Sequence, residues 1–152
     1  MVTITYDTPK TSISIMTTEM NSLATGQIKN NTVIASFDNT SNRDVYAVFE
    51  LELGADLDLS AQTNSTVELY LIPSYDGTNF ADDADETNDD LTGVYYVGAF
   101  SFTQQAGSRR AVIEGITLSP LKYKIAVKNS LGVTMNATGN VVRVETYSQE
   151  TR

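Results

Sequence analysis

Apolar residues recur along this chain with a period of two. Val45, Ala47, Phe49, Leu51 and Leu53 alternate with Tyr46, Val48, Glu50 and Glu52. A strand sends successive side chains to opposite faces, so five apolar groups share one face and two carboxylates the other. Val67, Leu69 and Leu71 alternate with Glu68 and Tyr70 in the same way. Further on, Tyr123, Ile125 and Val127 alternate with Lys122, Lys124 and Lys128, and Val142 and Val144 with Arg143 and Glu145. Val33, Ala35 and Phe37 predict one more apolar strand face. Residues 94–102 are apolar on both faces, which predicts a central strand covered on two sides or lying at a subunit contact. Arg110 to Leu118 predicts a strand with a bulge at Gly115. Ile13 with Ile15, and Val2 with Ile4, predict two short ones.

Turn chemistry separates these segments at Asp38-Asn39, Asp76-Gly77, Gly107-Ser108, Ser119-Pro120, Gly132 and Gly139-Asn140. One short helix is predicted from Thr18 to Ala24, capped by Thr18 and closed by Gly26. The expectation is an all-β, antiparallel, jelly-roll-like β-sandwich of eight to nine strands, with at most one short helix. It forms a single domain over residues 1–152. Segments 1–12 and 148–152 are expected as extended arms, with Pro9 separating the first strand from the second.

Composition narrows the chemistry. The chain has no Cys, His or Trp. Thiolate nucleophiles, disulfides, Cys-based metal sites and Ser-His-Asp or Cys-His arrangements are therefore excluded. Ser, Thr and Asn make up 44 of the 152 residues, a mix suited to strands and turns. No apolar run approaches the roughly 18–20 residues of a membrane helix, and no secretory signal is predicted at the start. Neither a membrane nor a cofactor is expected.

The net charge of −9 is unevenly placed. Residues 1–108 carry three basic and sixteen acidic residues, whereas 109–152 carry seven and three. A surface this acidic repels phosphate backbones, so direct nucleic-acid binding is not expected. The split has two readings: different strands of one sheet system drew different surface charges, or the last third faces an acidic partner.

Few residues offer chemistry. Asp82, Asp83, Asp85, Glu86, Asp89 and Asp90 crowd one loop and are the calcium candidates, because hard cations take several carboxylate oxygens. Their spacing does not follow the EF-hand pattern, and a solvated acidic loop is the competing reading. Glu50 and Glu52 share a strand face, with Glu68 a third candidate beside them. A glycosidase would need two such carboxyls about 5–9 Å apart. Exposed tyrosines could form a sugar-stacking platform or an interface edge. Asn30, Asn39, Asn64 and Asn136 each begin an Asn-x-Ser/Thr triplet, expected to be chance.

Several runs, in order, carry a likeness. Ser22-Leu23-Ala24-Thr25-Gly26 precedes Asp38-Asn39-Thr40-Ser41-Asn42. Val67-Glu68-Leu69-Tyr70-Leu71 then leads to Ser74-Tyr75-Asp76-Gly77-Thr78. Finally, residues 121–129 run into Met135-Asn136-Ala137-Thr138-Gly139-Asn140. Over about residues 20–147 this succession resembles small virion proteins of tailed bacteriophages, of the capsid decoration or cement type. Two departures stand out: Tyr123 occupies a place where such proteins commonly carry Trp, and loop 82–90 is unusually acidic.

The resemblance implies a non-enzymatic homotrimer. It would be made in the host cytoplasm and bound to the major capsid protein on the outside of the virion shell. The contact residues expected are Tyr6, Pro9 and Lys10 in the N-terminal arm, and the Arg109-Arg110 pair. The alternatives are a carbohydrate- or receptor-binding sandwich of a phage tail or fibre, and a carboxylate glycosidase.

Overall fold

The computed structural model describes residues 4–8, 10–81, 91 and 95–151. Eleven strands run in order: β1 Ile4–Tyr6, β2 Ile13–Met16, β3 Ile28–Asn30, β4 Phe37–Asp38, β5 Tyr46–Leu53 and β6 Thr66–Ser74. They continue with β7 Tyr96–Ser101, β8 Arg109–Thr117, β9 Lys122–Ser130, β10 Val141–Tyr147 and β11 Gln149–Thr151. Two antiparallel sheets face each other. One has the order β2-β10-β5-β8; the other has the order β3-β9-β6-β7, with β4 also paired to β9. Chain neighbours β2 and β3, β5 and β6, and β7 and β8 each lie in opposite sheets. That interleaved order is a jelly roll.

Alternation builds the core. Ala47, Phe49, Leu51 and Leu53 of β5 face Val67 and Leu69 of β6 and Ile125 and Val127 of β9, all fully buried. Burying a Phe or Leu side chain contributes about 1.5–3 kcal/mol each, so this shared interior is the main stabilising term. Gly115 sits at φ 70° at a register shift between β5 and β8, the bulge expected there.

A second, smaller apolar cluster lies on the outer face of the five-stranded sheet. Ile28, Tyr70, Ile72 and Ala126 are buried there beneath Phe80, Leu91 and Tyr95. Phe80, Leu91 and Tyr95, from between β6 and β7, thus cover a face that alternation alone would leave wet.

Buried asparagines close the loops. Asn129 Nδ2 donates to Leu23 O and Val133 O, at 2.8 and 2.9 Å, while its Oδ1 accepts from Leu131 N at 2.9 Å. Asn140 accepts from Gly54 N at 3.2 Å and donates to Asn136 O at 2.8 Å. Each side chain replaces backbone partners that an irregular segment lacks.

Four expectations are corrected. No helix forms over 18–24. Instead the Glu19 carboxylate accepts N–H groups of Thr17, Thr18, Thr32 and Val33 at 2.9–3.1 Å, and the chain turns around it. Residues 33–36 form no strand; Val33 is 65% exposed, and pairing begins at Phe37. Val45 precedes β5 and is exposed rather than inward. The strand expected over 94–102 is β7, which begins at Tyr96 and ends its sheet instead of crossing the middle. Phe100 is fully buried in the core, while Val97 and Ala99 are half-buried and Ile113 of β8 packs on Gly98.

The terminal segments pair with each other. Ile4, Thr5 and Tyr6 register with Thr151, Glu150 and Gln149. Asp7 N then donates to Ser148 O at 2.9 Å and Lys10 N to Thr146 O at 3.1 Å, leading into the β2–β10 pairing. The described parts of the expected arms thus hold each other in a two-stranded sheet of their own, β1-β11.

Candidate functional site

The outer face of the four-stranded sheet carries the densest polar arrangement among the described residues. On β5, Tyr46, Val48, Glu50 and Glu52 point outward; on β10, Arg143, Glu145 and Tyr147 do the same. Antiparallel register sets Arg143 opposite Glu50, and Arg110 of β8 opposite Glu52. Arg143 Nη1 donates to Glu50 Oε1 at 2.9 Å and to Glu52 Oε2 at 2.8 Å. Arg110 Nη2 lies 3.2 Å from Glu52 Oε2, and its Nη1 lies 3.9 Å from Glu50 Oε1. An open groove of about 450 Å³ runs beside this ladder, floored by Val48 and Val112. At one end of the face Tyr46 and Tyr147 stack with ring centroids 5.4 Å apart.

The electrostatics tie Glu52 to its arginines. The Arg143 hydrogen bond, helped by Arg110, holds the Glu52 carboxyl below its ordinary range against the opposing effect of burial. Arg143 is pushed up in return, chiefly by its hydrogen bond to Glu52. A general acid at neutral pH needs the opposite shift. Glu68 does not join the pair. It stands on the outer face of the other sheet, where Ser130 Oγ donates to it at 2.9 Å and the Tyr70 hydroxyl also donates. Burial, then that bond, pushes the Tyr70 hydroxyl well above its usual value.

The contact candidates separate. Arg109 and Arg110 are chain neighbours on a strand and so point to opposite faces. Arg110 joins the ladder, whereas Arg109 Nη1 donates to Thr103 O at 3.0 Å and its Nε and Nη2 are buried without a partner. Lys10 turns inward: its Nζ lies 2.7 and 2.8 Å from the two Asp44 oxygens. Tyr6 enters through its backbone, opposite Gln149. Pro9 and the calcium candidates Asp82, Asp83, Asp85, Glu86, Asp89 and Asp90 lie outside the described residues. Among the described residues no group of three or more acidic side chains is placed to hold a metal ion.

Two triplet asparagines, Asn30 and Asn39, are buried; Asn39 Nδ2 donates to Asp44 O at 2.8 Å and to Ser119 O at 3.0 Å. The charge split also gains a local account. Arg110 and Arg143 meet Glu50 and Glu52, and Lys122 Nζ lies 3.7 Å from Asp38 Oδ2, so basic strands of the last third neutralise acidic strands ahead of them. Arg143, Glu145, Val112 and Tyr147 carry no chemical motif that singles them out as site residues. Their signal was their alternation with buried neighbours, which gives a face but not a register.

No protein-family model matches the chain, and no curated protein matches it.

Proposed function

We propose that this protein is a non-enzymatic structural component of a tailed-phage virion, of the decoration type, that binds the outer surface of the shell. The observation that carries this reading is the arginine–carboxylate ladder on the outer face of β10, β5 and β8. Carboxylates held by arginines across three strands suit a charge-patterned contact surface better than a pair poised for proton transfer. The jelly roll is compatible with it, although a fold alone does not specify a function. Many copies bound to a repeating shell would multiply weak contacts into firm attachment.

Purified protein mixed with shells of its source phage, stripped of their outer proteins, tests the reading. Saturable co-sedimentation is expected, and exchanging Arg110 and Arg143 for Glu should weaken it. Absence of co-sedimentation would refute shell binding.

The second reading, a carbohydrate- or receptor-binding module of a tail or fibre, is favoured by one feature. Where β6 begins and β7 ends, an open groove is lined by Thr63, Asn64, Thr66, Ser101 and Thr103 together with Phe102. Hydroxyls and an amide beside an aromatic ring suit a neutral sugar. A glycan array that is positive while shells fail to bind would favour this reading.

A further inference from the structure

Strand β8 ends its sheet. β5 pairs one side of it, and among the described residues no strand pairs the other. It is nine residues long, against four in β2 at the opposite edge. Natural edges are usually short or otherwise blunted, because unpaired N–H and C=O groups invite another strand. The exposed side chains here are Arg110, Val112, Glu114 and Thr117, and Val112 is 48% exposed despite being apolar.

We infer that β8 is a self-association edge, at which a second copy of this chain adds its own β8 antiparallel about a two-fold axis through Val112. The charge pattern selects both the occupant and the register. With Val112 opposite Val112 of the second copy, Arg110 of each chain faces Glu114 of the other. Ala111 and Ile113 then meet on the inner face. Moving the axis by one residue sets Arg110 against Val112 or Ile116 and leaves the charges unmatched. Only the Val112-centred register extends the row already present, so that Arg110 lies between its own Glu52 and the second copy's Glu114. Glu114 has no ion pair of its own among the described residues, and Arg110 has donors left beyond those facing Glu52. Gly115, at φ 70°, bulges the strand and ends the new ladder. The product is a continuous eight-stranded sheet, β2-β10-β5-β8 followed by its mirror order.

A ladder this short falls below the roughly 1,000 Å² of a stable interface, so pairing is concentration-dependent. It closes at two copies, unlike the trimer that the family resemblance implies. It does not depend on what the protein is mounted on.

Sedimentation equilibrium of the full chain from about 10 µM to about 1 mM is the direct test. A monomer–dimer equilibrium is expected. Glu114→Arg, on an exposed position, should weaken it roughly tenfold by setting like charges face to face, and adding Arg110→Glu should restore it. The chain has no cysteine, so Val112→Cys offers a clean probe. It should form a covalent dimer with a short bismaleimide, whereas Tyr75→Cys, at a 79% exposed site elsewhere, should not. A monomer throughout, a trimer, or a dimer indifferent to Glu114→Arg would overturn the inference. So would equal cross-linking at positions 75 and 112.

Discussion

Lys10 places its Nζ 2.7 Å from Oδ1 of Asp44, a residue 34 positions away whose side chain is only 3% exposed. Thr146 Oγ1 donates to the same carboxylate at 2.6 Å, so one buried charge joins the N-terminal segment, the β4–β5 loop and β10. Breaking such a pair leaves its carboxylate buried without a counter-charge, and that desolvation outweighs the lost attraction. Lys10→Met should therefore destabilise the fold by about 1–2 kcal/mol, less than a fully buried pair because Lys10 is partly exposed. Asp44→Ala should cost about 2–3 kcal/mol, since it also strands Thr146 and Lys10. Urea unfolding with unchanged m-values measures both.

Glu19 gives the fold an acid limit. Burial would raise its carboxyl, but N–H groups of Val33, Thr32 and Thr17 outweigh that and lower it to about 2. A carboxyl depressed in the folded state adds stability above its unfolded value near 4.3, and that stability is lost as pH falls toward 2. Asp44 acts with the same sign: burial raises it, while hydrogen bonds from Lys10 and Thr146, with Lys10's charge, bring it below its ordinary value. Thermal melts should stay level at neutral pH and fall steeply between about pH 4.5 and 2. Glu19→Gln should remove on the order of 1–2 kcal/mol at pH 7, after allowing for solvent screening, and flatten the acid slope.

Strands β5 and β10 are legible because each alternates cleanly with one face buried, and β6 and β9 because their inward positions keep the period of two even where the outer face is also covered. What failed depended on distant partners. Thr18 to Ala24 carries local helix signals, yet Glu19 reaches Thr32 and Val33, thirteen and fourteen residues on. Nothing local announces that bond. Tyr70 and Ile72 have outward positions but are buried, because Phe80 and Leu91 return to cover them. The charge split was visible as a count, but its meaning required knowing that β8 and β10 flank β5. The Tyr123 hydroxyl likewise meets a partner that no periodicity announces: it accepts from Ser119 N at 2.8 Å and donates to Ser119 O at 3.1 Å.

The Arg143 ladder should matter little for stability. Arg143, Glu50 and Glu52 are 29%, 30% and 23% exposed and Arg110 60%, and pairs of this kind contribute roughly 0.2–1 kcal/mol each. Arg143→Ala should lower stability by about 1 kcal/mol in low salt and less at 1 M NaCl, where screening shortens to about 3 Å. A large, salt-independent loss in calorimetry would show that Arg143 packs the sheet instead of pairing with Glu50 and Glu52.

Gly54 is the position least tolerant of a methyl group. It follows β5 where the 136–140 turn crosses, and Asn140 holds its N–H. A Cβ there would stand 2.3 Å from Thr138 O and 2.9 Å from Asn136 Nδ2. The first neighbour is backbone, so it cannot swing aside as a side-chain tip can. Relief requires the turn to retreat, and that retreat pulls Asn140 away from Gly54 and Asn136. Overpacking typically costs about 1–3 kcal/mol, and a loosened buried amide adds about 1–3 kcal/mol. Gly54→Ala should therefore lose at least about 2 kcal/mol. Gly107→Ala is the control: a Cβ there meets nothing within 4 Å, and only its positive φ of 106° opposes the change. That strain should cost about 1–2 kcal/mol. Parallel urea titrations should rank Gly54→Ala as the more damaging; the reverse order would mean that the turn yields to the methyl group freely.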